Sequence, residues 1–540
     1  MEEKRPAWHD PHAVLSVGRG EERIHVEKVF MIGQQDDFRK NTGYLGVFVL
    51  GLIAYLFYQN LISSTPTIYW NDAHIRWAMR DQLVLGKWLP GVQVFVFLVS
   101  KMAFDLAFLR SVLAVIAIGT LLSFFLLARH LFSAAVGVIA FAFLAFNKMF
   151  AAFAVVPYSE VLFLGFMFGA LVLLDSTLFS FRYFMGILLV NLACLISYEG
   201  WFIALLLVLD AGFFLFHRMK WKEAFVRTVI LLLLVSVLPL AWLLLNGLED
   251  GGFWAGLQQI FEFVIAPSTP SVQDHLFARM NFEYLTKFSA QFFYLLVSQI
   301  RVEFFLLAGL GVLFAAADVK KRKLHLQIFF ILVLHMLLLA FFQPWKFGSL
   351  RQPFLLLPFL LLYSAYGLNQ SLIWLFQRFP FWGMGWKYLI PTLTFLAAVF
   401  LSAFSIPPAK QFVLETSREY KYFVPYKLSH WLSSRFADGD VVLIVDDTDY
   451  YPYALAAYFD MPLDSILDDR LAQSEISRAL LNGRNVYVLE LYTSRDGLSA
   501  DEQDLLFKLE TGGLNAVRYT VESANVWYLP SRQLLESYGE

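Results

Sequence analysis

Long apolar runs recur along most of the chain, each close to the roughly 20 residues a helix needs to cross a bilayer core about 30 Å thick. They fall at 44–62, 108–128, 133–150, 159–174, 183–198, 200–216, 227–246, 302–317, 325–342, 353–374 and 388–406. This pattern predicts about eleven transmembrane helices. Two longer segments interrupt it, 63–107 after the first run and 248–301 after the seventh. Beyond 406 the pattern changes. Val441–Val445, Asn485–Tyr492 and Asn515–Thr520 read as strands, with Tyr451–Phe459, Leu471–Leu481 and Ala500–Glu510 as helices between them. That alternation predicts a small α/β domain. The fold class is therefore an α-helical polytopic membrane protein with a C-terminal α/β domain. Its expected parts are an N-terminal tail over 1–40, a transmembrane domain over 41–406 and the α/β domain over 407–540. No internal repeat or low-complexity tract is evident.

Composition strengthens the membrane reading. Of 540 residues 58% are apolar, against about 45–50% in soluble domains. Aromatics reach 17%, with 56 Phe, and charged residues only 16%. A net charge of −2 gives no reason to expect nucleic acid as a partner. The only cysteine, Cys194, lies in an apolar run, which excludes an intramolecular disulfide and any Cys-based metal cluster. The first 40 residues are polar and lack a cleavable apolar stretch, so they read as a cytoplasmic tail.

Charge between the runs sets the expected orientation. Arg39 and Lys40 precede the first run, Arg218, Lys220 and Lys222 follow the sixth, and Lys320, Lys321, Arg322 and Lys323 follow the eighth. With these ends inside, the N-terminus is cytoplasmic, and the two long segments and the α/β domain are extracytoplasmic. The membrane expected is the plasma (inner) membrane.

The candidate chemistry starts in the first outer segment, between Tyr69 and Pro90. Ile75, Met79 and Leu83 recur at four-residue spacing, and Asp72, Arg76 and Arg80 form an adjoining polar stripe. The pattern predicts an interfacial amphipathic helix that opens near Asp72 and ends at Gly86. The residues alone also fit plainer roles. Asn71 or Asp72 would cap the helix, and Arg76 and Arg80 would contact lipid phosphates.

The order of motifs resembles the GT-C superfamily, whose members use polyprenyl-phosphate sugars. The elements that carry the likeness are Asn71-Asp72-Ala73 and Gly86-Lys87-Trp88-Leu89-Pro90, then Ala128-Arg129-His130-Leu131-Phe132 and Pro157-Tyr158-Ser159-Glu160. Ser197-Tyr198-Glu199-Gly200 and Leu350-Arg351-Gln352-Pro353 through Pro358 complete it. It covers about 40–405 and is similar to the family 39, protein mannosyltransferase and aminoarabinose transferase branches. Asn71-Asp72 departs from the Asp-Glu pair of those last two branches, and the oligosaccharyltransferase motif Trp-Trp-Asp-Tyr-Gly is absent.

The resemblance implies a membrane glycosyltransferase that takes its sugar from a polyprenyl-phosphate carrier, inverting, on the extracytoplasmic face. Asp72 would be the general base, with Glu160 beside it. Arg351, Lys346, Arg76, Arg80 and Lys87 would meet the donor phosphate, because a departing phosphate needs cations. His74, Tyr158 and Glu199 would position acceptor or carrier. Some branches use a divalent cation, Mg or Mn, for which Asp72 and Glu160 would be the ligands. The acceptor would be a protein, a lipid or a glycan, in contact with membrane lipids.

Each residue has a plain alternative. Arg351 fits a snorkelling interfacial arginine, His74 an ordinary interfacial histidine, and Glu160 and Glu199 solvated loop carboxylates. Asp446-Asp447-Thr448-Asp449 looks like a metal-binding Asp-x-Asp, but its place after a strand reads as helix capping. A transporter or flippase remains the alternative function, although transporters gather polar sites near the midplane of repeat-related halves. A non-catalytic scaffold is a third reading.

Overall fold

The computed structural model describes residues 43–65, 67, 71–81, 89–103, 105–174, 178–249, 282–317, 352–378, 386–437, 439–446, 451–459, 466–467, 472–491, 500–511, 516–521 and 524–530. The helices in chain order begin with α1 (Gly43–Ser64), α2 (Asn71–Ala78), α3 (Pro90–Met102), α4 (Leu106–Leu131), α5 (Ala134–Ala145) and α6 (Lys148–Ala154). Next come α7 (Ser159–Leu174), α8 (Phe181–Cys194), α9 (Tyr198–Arg218), α10 (Trp221–Glu249), α11 (Phe282–Ile300) and α12 (Val302–Ala317). The last part of the helical body is α13 (Leu356–Arg378), α14 (Trp386–Ala403), α15 (Ile406–Ser417) and α16 (Tyr420–Leu432).

Among the described residues six helices are long and apolar enough to cross a membrane, or up to eight if each of two bent pairs is one span. The chain is an integral membrane protein. Leu45, Phe48, Leu52 and Leu56 of α1 and Leu233, Val237 and Leu244 of α10 stay exposed. A lipid-facing surface has that character, since acyl chains are as apolar as leucine. The runs at 159–174 and 183–198 form shorter apolar helices. The run expected at 325–342 lies outside the described residues.

The bent pairs are the main departure from a simple row of spans. α5 and α6 meet at 72°, and α11 and α12 at 106°. Backbone freed at a break inside a membrane protein must be satisfied by protein. Buried Asn147 does this at the first break, where its Oδ1 accepts from the amides of Met149 (3.0 Å) and Phe150 (3.3 Å). Its Nδ2 donates to the Gln299 carbonyl at 2.9 Å, which ties one break to the other. Arg301 turns the second corner with φ 63, a left-handed conformation unfavourable for a side chain with a Cβ. Elsewhere small residues set the spacing. A Cβ on Gly311 would lie 2.0 Å from the Tyr363 carbonyl oxygen, and one on Gly367 2.1 Å from that of Leu307, so α12 and α13 touch backbone to backbone.

The C-terminal domain contains β1 (Val441–Asp446), α17 (Tyr451–Phe459), β2 (Ile466–Leu467), α18 (Ala472–Leu481), β3 (Val486–Leu491), α19 (Ala500–Glu510), β4 (Val517–Val521) and β5 (Ala524–Leu529). The sheet order is β2-β1-β3-β5-β4. β1 runs parallel to β2 and β3, whereas β5 is antiparallel to β3 and β4. One face of the sheet packs Val441, Leu443, Val486, Val488 and Trp527 into a core of the domain's own. The other, with Val442, Ile444, Tyr487 and Leu489, belongs to the same continuous apolar cluster as the helical body. The domain is therefore fused to the membrane body by packing.

Candidate active site

The site is built from the end of α1 onward. Thr65 and Thr67 are buried there. Arg110 of α4, only 2% exposed, donates from Nη1 to the Thr65 carbonyl (2.5 Å) and from Nη2 to Thr65 Oγ1 (2.7 Å). Its Nε donates to the Val155 carbonyl at 2.8 Å, just past α6. Thr67 Oγ1 donates to the Ser417 carbonyl at 2.7 Å, which pins the same segment to the end of α15. Arg110 is a site-forming residue that the motif reading passed over. Its signal was an arginine near the start of the apolar stretch Leu106–Leu131.

α2 then presents Asp72 in its first turn, half-buried. The Tyr158 hydroxyl donates to Asp72 Oδ2 at 2.6 Å. A bond of this length restricts where that carboxyl oxygen points. Tyr158 is itself held, with its ring 5.7 Å from Phe153, and Phe153 meets Phe354 edge-on at 4.6 Å. This aromatic line brings the turn before α7 and the chain just after Arg351 to the same place.

Glu160 follows in the first turn of α7, where the Ser159 hydroxyl donates to its Oε2 at 3.0 Å. Glu199, in the first turn of α9, accepts from the Ser197 hydroxyl. The turn before α9 is fastened to α3, because Gly91 N donates to the Leu195 carbonyl at 2.8 Å. Only glycine fits, since a Cβ there would lie 2.7 Å from Ile196 Cγ1 and 2.8 Å from the Leu195 oxygen. α3 holds α2 in turn through Gln93, whose Nε2 donates to the carbonyls of Met79 (2.6 Å) and Arg76 (3.2 Å).

The remaining predicted residues divide. Arg76 and Arg80 are 9% and 6% exposed, so they do not form an open basic stripe. Arg80 lies 5.0 Å over the Trp77 ring and donates to the Trp77 carbonyl at 3.0 Å. His74 is fully buried, its Nε2 2.8 Å from the Tyr458 hydroxyl. Lys87, Lys346 and Arg351 lie outside the described residues, as do Gly86, Trp88 and 447–449.

No family model matches this sequence, and no curated protein does either. Solved structures are more informative. ArnT from Cupriavidus metallidurans in the apo state is similar over 91% of this chain and 98% of its own, at 11% identity and a TM-score of 0.58. ArnT from the same organism bound to undecaprenyl phosphate is similar over 89% and 97%, at 11% identity and a TM-score of 0.59. The chain has the GT-C fold. The likeness runs past the helical body, so the GT-C architecture here includes the C-terminal domain. An oligosaccharyltransferase from Archaeoglobus fulgidus, solved with Zn and sulfate, is similar more loosely, at 14% identity and a TM-score of 0.49 over 82% of this chain and 67% of its own.

An ion such as Mg keeps several waters and is held by one or two carboxylates together with substrate phosphate, so Asp72 and Glu160 are the carboxylates that would hold one. Among the described residues no three His, Cys, Asp or Glu side chains gather as a metal cluster.

Proposed function

We propose that this protein is an inverting membrane glycosyltransferase that takes its sugar from a polyprenyl-phosphate carrier, with Asp72 as general base. The observation that carries the proposal is the hydrogen bond from Tyr158 to Asp72 Oδ2 at the start of α2, in a chain with the GT-C fold. ArnT binds undecaprenyl phosphate, and we extend that class of carrier to this chain.

Asp72 takes the proton of the acceptor hydroxyl as its oxygen attacks the anomeric carbon. The bond from that carbon to the phosphate oxygen breaks, and its electron pair leaves with the carrier phosphate. A positioned base contributes about 10²- to 10⁴-fold to such a step. Tyr158 orients the carboxylate, while Arg351, Lys346 and Lys87 are the proposed cations for the departing phosphate, supported by Arg76 and Arg80. Glu160 and Glu199 belong to turns that frame the same end of the bundle, and we assign them to acceptor or carrier positioning. Basic residues beside the first, sixth and eighth runs favour placing this end on the extracytoplasmic face. The acceptor would be a protein, lipid or glycan.

Broken spans are also what transporters use at their binding sites. Here the break at Asn147 spends both ends of its amide on backbone groups, which favours a structural joint over a transport site.

The test is transfer from polyprenyl-phosphate sugars by the full-length protein in liposomes. Asp72→Asn should abolish transfer and leave the unfolding midpoint unchanged. Undiminished transfer by Asp72→Asn removes Asp72 from its role, and substrate transport without any transfer by the wild type overturns the enzyme reading.

A further inference from the structure

α2 has eight residues, fewer than the 12–15 or so an isolated helix needs to be even marginally stable in water. Its position therefore depends on what grips it. The membrane body grips it through Tyr158 on Asp72 and through Gln93 on the carbonyls of Arg76 and Met79. Another grip comes from the C-terminal domain, 384 residues away in sequence. His74 Nε2 lies 2.8 Å from the Tyr458 hydroxyl of α17, and the two rings meet edge-on at 5.2 Å.

This contact is backed on the far side. The Tyr458 ring stands edge-on to Tyr426 of α16 at 5.4 Å. Behind it Ala454 and Leu455 of α17 are fully buried in the cluster that also takes in Val442, Ile444 and Leu489 of the sheet. His74 is fully buried, and removing a hydrogen-bond partner from a buried polar group is costly. The bond therefore ties the placement of α2 to the placement of α17.

We propose that Tyr458 is a positioning residue for the transfer reaction. Through His74, two residues from Asp72, it holds the general base in register, which makes the C-terminal domain a working wall of the site. This rests on the assignment of Asp72 as base, and the experiment separates the two.

The experiment uses the full-length protein in lipid nanodiscs and compares wild type with Tyr458→Phe, which keeps the ring and deletes the hydroxyl. Amide exchange over 71–80 should quicken about ten-fold while the amides of β1 and β3 keep their protection. In the transfer assay kcat should fall about ten-fold or more, since misplacing a reacting group by about 1 Å costs up to about 10²-fold, with donor KM within about two-fold. His74→Gln can donate from its amide to the same hydroxyl and should keep most of kcat, whereas His74→Ala should not. Adding Tyr458→Phe to His74→Ala should cost nothing further.

Unchanged exchange over 71–80 in Tyr458→Phe overturns the coupling, whether or not the protein transfers sugar. So do equal losses in His74→Gln and His74→Ala, or multiplying losses in the double variant. If wild type transfers no sugar but Tyr458→Phe still loosens 71–80 alone, the coupling stands and the enzyme reading falls. Should Tyr458→Phe also loosen the sheet, the contrast between Gln and Ala at 74 reads the same bond from the α2 side.

Discussion

Arg110 and Asp72 stand at the same end of the helical bundle, both charged and both tied to the turn around Val155–Tyr158, yet the molecule treats them differently. Arg110 is buried to 2% exposure and spends its guanidinium on two backbone carbonyls and a threonine hydroxyl. Asp72 is half-exposed, and the Tyr158 hydroxyl donates to its Oδ2. A charge whose partners are backbone atoms of two elements fixes those elements. A charge that a side-chain hydroxyl orients and that stays half-exposed is open to an incoming group. The contrast separates scaffold from chemistry without any appeal to motif.

The largest effect expected is on Asp72. Asp72→Asn preserves the size of the side chain and its capacity to accept from Tyr158, but removes the base. Transfer should fall by about 10²-fold or more, and the unfolding midpoint should hold. Arg110→Ala should do the reverse. It strands buried acceptors at Thr65 and Val155, and charge-assisted bonds of this kind are worth about 1.5–3 kcal/mol each. A stability loss of about 3 kcal/mol, read by denaturant titration, should appear with activity per folded molecule falling less than for Asp72→Asn. If Arg110→Ala is stable and inactive, the contrast between the two charges collapses.

Tyr158→Phe sharpens the comparison at smaller scale. The ring keeps its contact with Phe153, while the bond to Asp72 is lost. About 1 kcal/mol of orientation should appear as a five- to ten-fold drop in kcat, with donor KM unchanged. A rise in donor KM alone would move Tyr158 from orienting the base to contacting the carrier.

How far the sequence carried this picture depends on the range of the interactions. Spans such as Leu106–Leu131 are legible because twenty consecutive apolar residues have one physical use. The corner at Asn147 is less so. One asparagine between Phe146 and Lys148 signals a break only once Gln299 is known to receive its amide. Strands β1 and β3 show as apolar runs, whereas β5, Ala524–Leu529, was not expected. Its alternation is blurred because Asn525 and Trp527 both donate to buried Glu490. Asp72 and Tyr158 emerged from motif order, but their bond did not. Asp72, Arg76 and Arg80 share a polar stripe by spacing, yet both arginines are buried, because helical spacing shows which residues share a face and not what covers it. His74 and Tyr458 are 384 residues apart, and no local pattern encodes a pair at that distance.

The smallest effect belongs to an exposed ion pair beside α2. Lys101 of α3 donates to Asp81 Oδ1 at 2.6 Å, and both side chains are more than half exposed, at 57% and 56%. The bond from Lys101 holds the Asp81 carboxyl below its ordinary range, aided by the charges of Lys101 and Arg80 and opposed by slight burial. Since the folded pKa is depressed, the pair's contribution is present above the unfolded carboxyl pKa of about 3.9. It is lost as pH falls through the lower, folded value. Solvent screens such a pair, so Lys101→Ala should cost at most about 0.5 kcal/mol at neutral pH and less in 1 M salt. Transfer should be unaffected, because the Gln93 bonds already fix this end of α2. A loss of kcat in Lys101→Ala that high salt reproduces in the wild type would mean that an exposed surface charge also sets the register of α2. Scaffold and chemistry would then no longer divide along the line between buried and exposed charges.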